Sequence, residues 1–255
     1  MSHSPWDKCR GTASAPFSTS SIPRPLVSGI GNFYCQLTIL VAKRRYNGRI
    51  NFSRPMQVVT PTLDADVLSV LARADVELTG RELQRLAGHG SHQGVRNAAD
   101  RLAREGVVER RSVGNANLYR LNRDHVAAQW IEKLATLPEQ IVERLRTAIG
   151  EWAQPPVLAM LFGSVATGRA TTASDLDMLI VRPADRDPDD PTWTLQLGDL
   201  QAMATASSGN DARILEYAQD ELTSDPAEPV LIDALREGIE LYGSRRMLMA
   251  GSRTD

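Results

Sequence analysis

The stretch that decides the fold is Val157-Leu158-Ala159-Met160-Leu161-Phe162-Gly163-Ser164, followed ten residues later by Asp175-Leu176-Asp177-Met178-Leu179-Ile180-Val181. Each half contains a short apolar run, and such runs bounded by turn residues are typical of buried strands. Gly163-Ser164 ends the first run, and two aspartates open the second. The pattern therefore predicts a strand–turn–strand element with polar groups between its strands.

The two aspartates have a spacing that suits a metal ion. Asp175 and Asp177 alternate with Leu176, and the pleat of a strand puts both carboxylates on one face. Mg²⁺ takes such oxygen ligands and fills its other positions with phosphate oxygens and water. Gly163 lets a phosphate approach the backbone, and Ser164 can donate N–H and hydroxyl hydrogen bonds to it. A metal here would stabilise charge on an α-phosphate under in-line attack.

The combination Phe162-Gly163-Ser164-x10-Asp175-x-Asp177 resembles the signature of the DNA polymerase β-like nucleotidyltransferase superfamily, and it looks most like the small minimal nucleotidyltransferases. The resemblance covers about residues 155–243. It implies that Asp175 and Asp177 are catalytic, that they bind Mg²⁺ or Mn²⁺, and that the substrate is an NTP. The nucleotide-binding residues that it implies are Gly163, Ser164, Gly168, Arg169 and Ser174. Such minimal enzymes often act in toxin–antitoxin pairs, which implies a partner toxin or antitoxin protein, or tRNA.

A third acidic residue on a later strand is typical of this superfamily. The corresponding strand here is predicted over residues 212–217, and the aligned position is Arg213. Asp211 lies one pleat earlier on the same face, whereas Glu216 points to the opposite face. Three explanations stay open: Asp211 binds the metal after a register shift, Arg213 binds triphosphate or pairs with an aspartate, or the site binds nucleotide with little or no transfer.

Residues 63–123 predict three short helices followed by a β-hairpin. Thr79 and Glu82 form a capping-box pattern, Ser91 is a second N-cap, and Gly106 ends the third helix. Gly114-Asn115 is a hairpin turn. This order resembles a winged helix-turn-helix domain, in which the third helix and the hairpin face nucleic acid.

The charge distribution agrees with that resemblance. Residues 89–123 contain seven arginines and three acidic residues, whereas residues 62–88 contain three arginines and five acidic residues. Positive charge therefore lies on the half that would face phosphates. The candidate nucleic-acid-binding residues are Ser91, His92, Gln93, Arg96, Asn97, Arg110 and Arg111. DNA and tRNA are the candidate ligands, and a protein-binding or homodimer-forming surface is the alternative.

The expected fold class is α+β, with an N-terminal winged helix domain and a small mixed-sheet nucleotidyltransferase domain with flanking helices. Ser, Pro, Gly and Thr dominate the N-terminal region, so residues 1–55 are interpreted as a disordered leader, or as residues upstream of a natural start at Met56. The other predicted segments are a winged helix over 56–123, a helical linker over 124–153, the nucleotidyltransferase domain over 154–243 and a disordered tail over 244–255.

Composition excludes several classes of protein. Residues 126–255 carry eleven basic and twenty-one acidic residues, which argues against a broad nucleic-acid-binding surface there. Cys9 and Cys35 have no metal-binding spacing, so no zinc site is expected. The uncharged stretch Leu26–Ala42 is short for a membrane span, and a cytoplasmic location without membrane contact is expected.

These observations favour a Mg²⁺-dependent enzyme that transfers NMP from an NTP to a protein, RNA or small-molecule hydroxyl and carries a nucleic-acid-binding winged helix. The alternative is a DNA-binding transcriptional regulator, or an antitoxin-like protein, whose degenerate nucleotidyltransferase domain senses nucleotide.

Overall fold

The computed structural model describes residues 49–224 and 228–246. The apolar stretch Leu26–Ala42, both cysteines and the predicted tail beyond residue 246 lie outside the described residues. None of the helices in the described ranges is long and apolar enough to cross a membrane.

The first unit contains three helices and a small antiparallel sheet. After a 3-10 turn over Pro55–Val58, its elements are α1 (Leu63–Arg73), β1 (Leu78–Thr79), α2 (Gly80–Ala87), α3 (His92–Arg104), β2 (Val108–Val113) and β3 (Ala116–Leu121). The sheet order is β1-β3-β2. The predicted caps are confirmed: Thr79 and Glu82 form a capping box at α2, and the Ser91 hydroxyl accepts from Gly94 N–H at 3.0 Å. Gly106 follows α3 with φ of 80°.

A helix pair joins this unit to the second. The helical segment predicted over residues 124–153 divides into α4 (Ala128–Ala135) and α5 (Leu137–Gly150). Pro138 lies in the first turn of α5, where its missing N–H costs no hydrogen bond. Ile131 of α4 packs in the first core. Leu145 and Ile149 of α5 are fully buried in the second. Each helix of the segment interpreted as a helical linker over 124–153 thus packs in one of the two cores.

The second unit is built on a mixed four-stranded sheet. Its elements are β4 (Leu158–Phe162), α6 (Gly163–Ala166), β5 (Leu176–Arg182), α7 (Pro191–Ser208), β6 (Ala212–Ala218), α8 (Gln219–Ser224), α9 (Pro229–Glu237) and β7 (Ile239–Tyr242). The strand order is β6-β5-β4-β7. β5 and β6 are parallel, as a helical crossover such as α7 allows, and the other pairs are antiparallel.

Helices cover both faces of this sheet. On one face, α5 and α7 pack on Leu161, Met178 and other alternate strand residues. Trp193 of α7 is fully buried there, and its ring meets that of Trp152 edge-on at 5.6 Å. On the opposite face, α8 and α9 pack on the remaining strand residues, including Met160.

Residues 49–55 correct the boundary of the predicted leader. The Ile50 N–H donates to Ser208 O at 3.2 Å and to the Asn210 side-chain oxygen at 3.0 Å. Phe52 is 5% exposed in the second core, and the Arg54 guanidinium donates to buried Asp66 of α1 through two nitrogens, at 2.9 and 2.7 Å. These residues pack because their apolar and polar side chains find partners far away in sequence.

The start of the predicted tail also needs correction. Arg245 lies in the segment predicted to be disordered, yet its guanidinium donates to Glu240 at 2.9 Å and to Gly238 O at 2.6 Å. These bonds hold the chain after β7 against the end of α9.

Candidate active site

Gly163 sits where β4 turns into α6, and its position requires the absence of a side chain. Its φ of 75° lies in the left-handed region, and an added Cβ would lie 2.9 Å from the Asp177 Oδ2 atom. Phe162 and Asp177 are register partners on β4 and β5. The backbone of the glycine turn is therefore packed directly against the carboxylate of Asp177.

The loop after Gly163 offers free donor groups. The hydroxyl of Ser164 has no hydrogen-bond partner among the described residues, and its carbonyl accepts from Arg169 N–H at 2.9 Å. Gly168 has φ of 68°, and its carbonyl accepts from the Ser53 hydroxyl at 2.7 Å. The side chain of Arg169 is 75% exposed and lies 3.6 Å from Glu237 on α9. The side chain at the end of this loop is thus largely exposed to solvent.

Asp177 is a carboxylate without a direct partner in the described part of the chain. Its carboxylate makes no hydrogen bond or ion pair within the described residues. Burial, and secondly the neighbouring charge of Asp175, raise the pKa of Asp177, while Arg213 lowers it. The proximity of two carboxylates, one of them partly desolvated, is the electrostatic arrangement that a bound cation stabilises.

Asp175, just before β5, is held by two arginines. Its Oδ2 accepts from Arg213 Nη2 at 2.8 Å, and its Oδ1 lies 3.3 Å from Arg49 Nη1. Its side chain is only 19% exposed, whereas that of Arg213 is 64% exposed. Ser174 shapes the preceding loop, since its hydroxyl accepts from Thr171 N–H at 2.9 Å.

The register of β5 and β6 places position 213 beside Asp177. Asp211 precedes β6, and its carbonyl accepts from Leu176 N–H at 2.9 Å. No group of three acidic, His or Cys residues that could hold a metal is found within the described ranges, so Asp211 does not form such a group with the two aspartates. Glu216 is engaged elsewhere, because it accepts from Trp193 Nε1 at 2.8 Å and Arg182 Nε at 2.9 Å.

The donors fit a single Mg²⁺ or Mn²⁺ that arrives with a triphosphate. Asp175 and Asp177 supply hard oxygen atoms next to the glycine turn, and Mg²⁺ is commonly held by one or two carboxylates together with substrate phosphates. Burial and then the neighbouring charge of Asp175 raise the pKa of Asp177, and a cation held between the two carboxylates would offset both effects.

Comparison with known proteins agrees with this geometry. The family model described as nucleotidyltransferase domain matches residues 118–245, half of the chain. The chain belongs to the nucleotidyltransferase domain family. The match begins within β3 and includes α4 and α5, so the family region starts earlier than the predicted boundary at residue 154.

Two solved structures are also similar to this nucleotidyltransferase. One is described as a toxin–antitoxin with AMP-PNP, at 19% identity, and the other as a mutant of the toxin–antitoxin MntA-HpeT, at 17% identity. Each alignment covers 44% of this chain and 80% of the other chain, with a TM-score of 0.32. A search of curated proteins gave no match.

The predicted nucleic-acid-binding residues of this nucleotidyltransferase lie on and around α3. Arg96 and Arg110 share Asp100, at 3.8 and 3.2 Å, and Arg111 pairs with Glu77. Their charges are therefore partly compensated within the protein. Other predicted residues serve α3 itself, since Ser91 caps the helix and Gln93 donates to Asn97 at 2.7 Å.

A concavity of about 460 Å³ lies between the start of α3 and the hairpin. His92 and Arg96 line it together with Asn115 and Asn117 near the hairpin turn. Arg81 of α2 also lines it, and nothing in the charge pattern of α2 distinguishes this residue from an ordinary exposed arginine.

Proposed function

We propose that this nucleotidyltransferase catalyses Mg²⁺- or Mn²⁺-dependent transfer of NMP from an NTP to a hydroxyl, with release of pyrophosphate. The observation that carries the proposal is the contact of the Gly163 turn with Asp177, beside Asp175. This contact would bring a phosphate-binding backbone and a metal-binding pair of carboxylates to one point. The acceptor is a protein, RNA or small-molecule hydroxyl.

Each group has a separate role in this proposal. Backbone N–H groups of the Gly163-Ser164 turn and the free Ser164 hydroxyl bind the β- and γ-phosphates, while Asp175 and Asp177 hold the metal. The metal, when bound, stabilises charge on the α-phosphate. The acceptor oxygen bonds to the α-phosphorus, the bond to the bridging oxygen breaks, and the acceptor proton passes to solvent. Gly168, Arg169 and Ser174 shape or support the phosphate loop.

Arg213 favours a second candidate function. It stands beside Asp177, where the superfamily resemblance implies an acid, and it pairs with Asp175. A site without a general base loses about 10²- to 10⁴-fold in rate. The chain could then bind nucleotide without useful transfer, and so serve as a nucleotide sensor in a DNA-binding regulator or an antitoxin-like protein.

Label transfer separates these two functions. The full chain is incubated with labelled NTP, Mg²⁺ or Mn²⁺ and cell extract, beside the double variant Asp175→Ala/Asp177→Ala. Transfer by the wild type that the double variant lacks supports the enzyme. Nucleotide binding without transfer, measured by titration of the same wild-type chain, supports the sensor. Failure of the wild type to bind any nucleotide would refute both.

We further propose that α1–α3 and the β2–β3 hairpin form a winged helix that binds DNA or tRNA. The order of these elements and the arginines around α3 support this proposal. Arg96→Ala/Arg110→Ala should lower nucleic-acid affinity and reduce the slope of log affinity against log salt by about 2. Arg144→Ala/Arg236→Ala removes the same charge elsewhere and is the control. Equal slopes for the two double variants would favour a protein-binding or homodimer surface, with a partner toxin or antitoxin as the first candidate.

A further inference from the structure

Arg49 reaches the candidate active site from a part of the chain far from it in sequence. Its guanidinium lies 3.3 Å from Asp175 Oδ1, across 126 residues of sequence, and also donates to Ala173 O at 3.2 Å. The family match begins only at residue 118. Arg49 is therefore a site residue that the family region alone does not supply.

The backbone beside Arg49 is fixed at the site by a buried amide. Asn210 is completely buried, and its side chain accepts from Ile50 N–H at 3.0 Å and donates to Ile50 O at 3.3 Å. The same amide donates to Ser174 O at 2.8 Å, next to Asp175. Asn210 thus ties the segment carrying Arg49 to the loop carrying the aspartate.

A second anchor lies on the phosphate loop. The Ser53 hydroxyl donates to Gly168 O at 2.7 Å, and Phe52 is buried between these attachments. The segment 49–53 therefore contacts both ends of the loop that connects Gly163-Ser164 to Asp175. Its backbone is held, and the long side chain of Arg49 is the part that can change partner.

The charges around Asp175 favour such a change. Arg49 and Arg213 both lie against this single carboxylate, and their side chains are 38% and 64% exposed. Ion pairs as exposed as these are weak. A triphosphate carries several negative charges, and guanidinium groups bind phosphate oxygens with paired donors. The guanidinium of Arg49 or Arg213 can therefore leave the Asp175 carboxylate and bind the phosphates of an NTP.

We propose that Arg49 is a triphosphate-binding residue that neutralises Asp175 until an NTP binds. On binding, its guanidinium moves to the phosphates, and Asp175 Oδ1 becomes available to the metal that the nucleotide brings, while Arg213 stays on Oδ2. This inference rests on the proposed function and deepens it, because it makes residues 49–53, which precede the first unit, a part of the nucleotide site.

The proposal makes two predictions of opposite sign for Arg49→Ala. ATP affinity in the presence of Mg²⁺ should fall by about tenfold to a hundredfold, as expected for loss of one hydrogen-bonded charge pair. ADP affinity should fall less, and AMP affinity should stay unchanged. Mn²⁺ binding without nucleotide should become tighter, because one cation no longer competes for Asp175. Arg49→Lys should retain part of the ATP affinity.

The test is calorimetric titration of ATP, ADP and AMP, and Mn²⁺ titration followed by electron paramagnetic resonance. The full-length chain is compared with Arg49→Ala, Arg49→Lys and Arg144→Ala, where Arg144 is an exposed arginine on α5 and the matched charge control. If Arg49→Ala loses affinity equally for all three nucleotides and melts at a lower temperature, Arg49 only stabilises the fold, and the proposal is overturned. Unchanged ATP affinity would overturn it while leaving the proposed function intact. A wild type that binds no nucleotide would overturn both.

Discussion

The variant Arg213→Asp tests whether position 213 corresponds to the third acidic residue that the superfamily resemblance implies. Asp177 and Arg213 are register partners on the parallel strands β5 and β6, so a carboxylate at position 213 would lie beside that of Asp177. Loss of a general base typically costs about 10²- to 10⁴-fold in rate, and an acid that restores this function should raise the rate of transfer by up to the same factor.

The substitution also has costs that the structure defines. The ion pair with Asp175 is lost, but Arg213 is 64% exposed, so this loss should lower the free energy of unfolding by about 1 kcal/mol or less. Arg213 lowers the pKa of Asp177, so its replacement by an acid should raise that pKa further. The carboxylates must be ionised to bind metal, and the gain in rate should therefore be larger at pH 8 than at pH 6.

The assay is the initial rate of label transfer from NTP, measured between pH 6 and pH 8 over a range of Mg²⁺ and Mn²⁺ concentrations. Arg213→Asn is the control, because it removes the cation without adding an acid. If the asparagine variant gains as much as the aspartate variant, release of Asp175 explains the effect. A folded Arg213→Asp variant that never exceeds the wild type would refute the reasoning from strand register.

Three further predictions concern the site and the segment before it. Gly163→Ala should lower the free energy of unfolding by about 1–3 kcal/mol in urea titrations and weaken metal-dependent NTP binding, since its Cβ would strain the left-handed turn and press on Asp177; equal stability and binding would contradict the close approach. Because the pKa of Asp177 is raised, its protonation stabilises the folded chain at low pH, and this stabilisation is lost as the pH rises through the folded pKa. Asp177→Asn should therefore melt at a higher temperature than the wild type at pH 7 in EDTA, with a smaller difference at low pH, and a destabilised variant would contradict the charge argument. Phe52→Ala should cost about 3–5 kcal/mol in urea unfolding because Phe52 is buried in the second core, whereas a disordered segment would give no change.

Local patterns predicted the elements whose causes are local. The capping box of Thr79 and Glu82 and the N-cap at Ser91 follow from side chains within three residues of each other, and the structure has both. The apolar runs on either side of Gly163-Ser164 predicted β4 and β5 for the same reason. At these places, the residues that form a structure are also neighbours in the sequence.

The features that the sequence did not predict depend on contacts between residues far apart in the chain. Residues 49–55 belong to the folded protein because Asn210 and the second core bind them, and no period in the segment signals partners so far away. The sequence did not predict the short strand β7, because its four residues begin one residue after α9 and, in the described ranges, pair with β4 alone. Arg213 is the register partner of Asp177, but its pairing with Asp175 became visible only with the side chains in place.

The contact between buried Trp193 and partly buried Trp152 gives the protein an intrinsic spectroscopic reporter. Trp193 and Trp152 meet edge-on in the second core, where Phe52 also packs. Trp130 of α4 is 58% exposed and carries Lys133 over its ring at 4.8 Å. An indole shielded from water emits at shorter wavelength than an exposed one, and a rigid indole pair contributes strongly to near-ultraviolet circular dichroism. Opening of the second core should therefore shift the emission to the red and erase the dichroic signal, which would make its unfolding visible without any added dye.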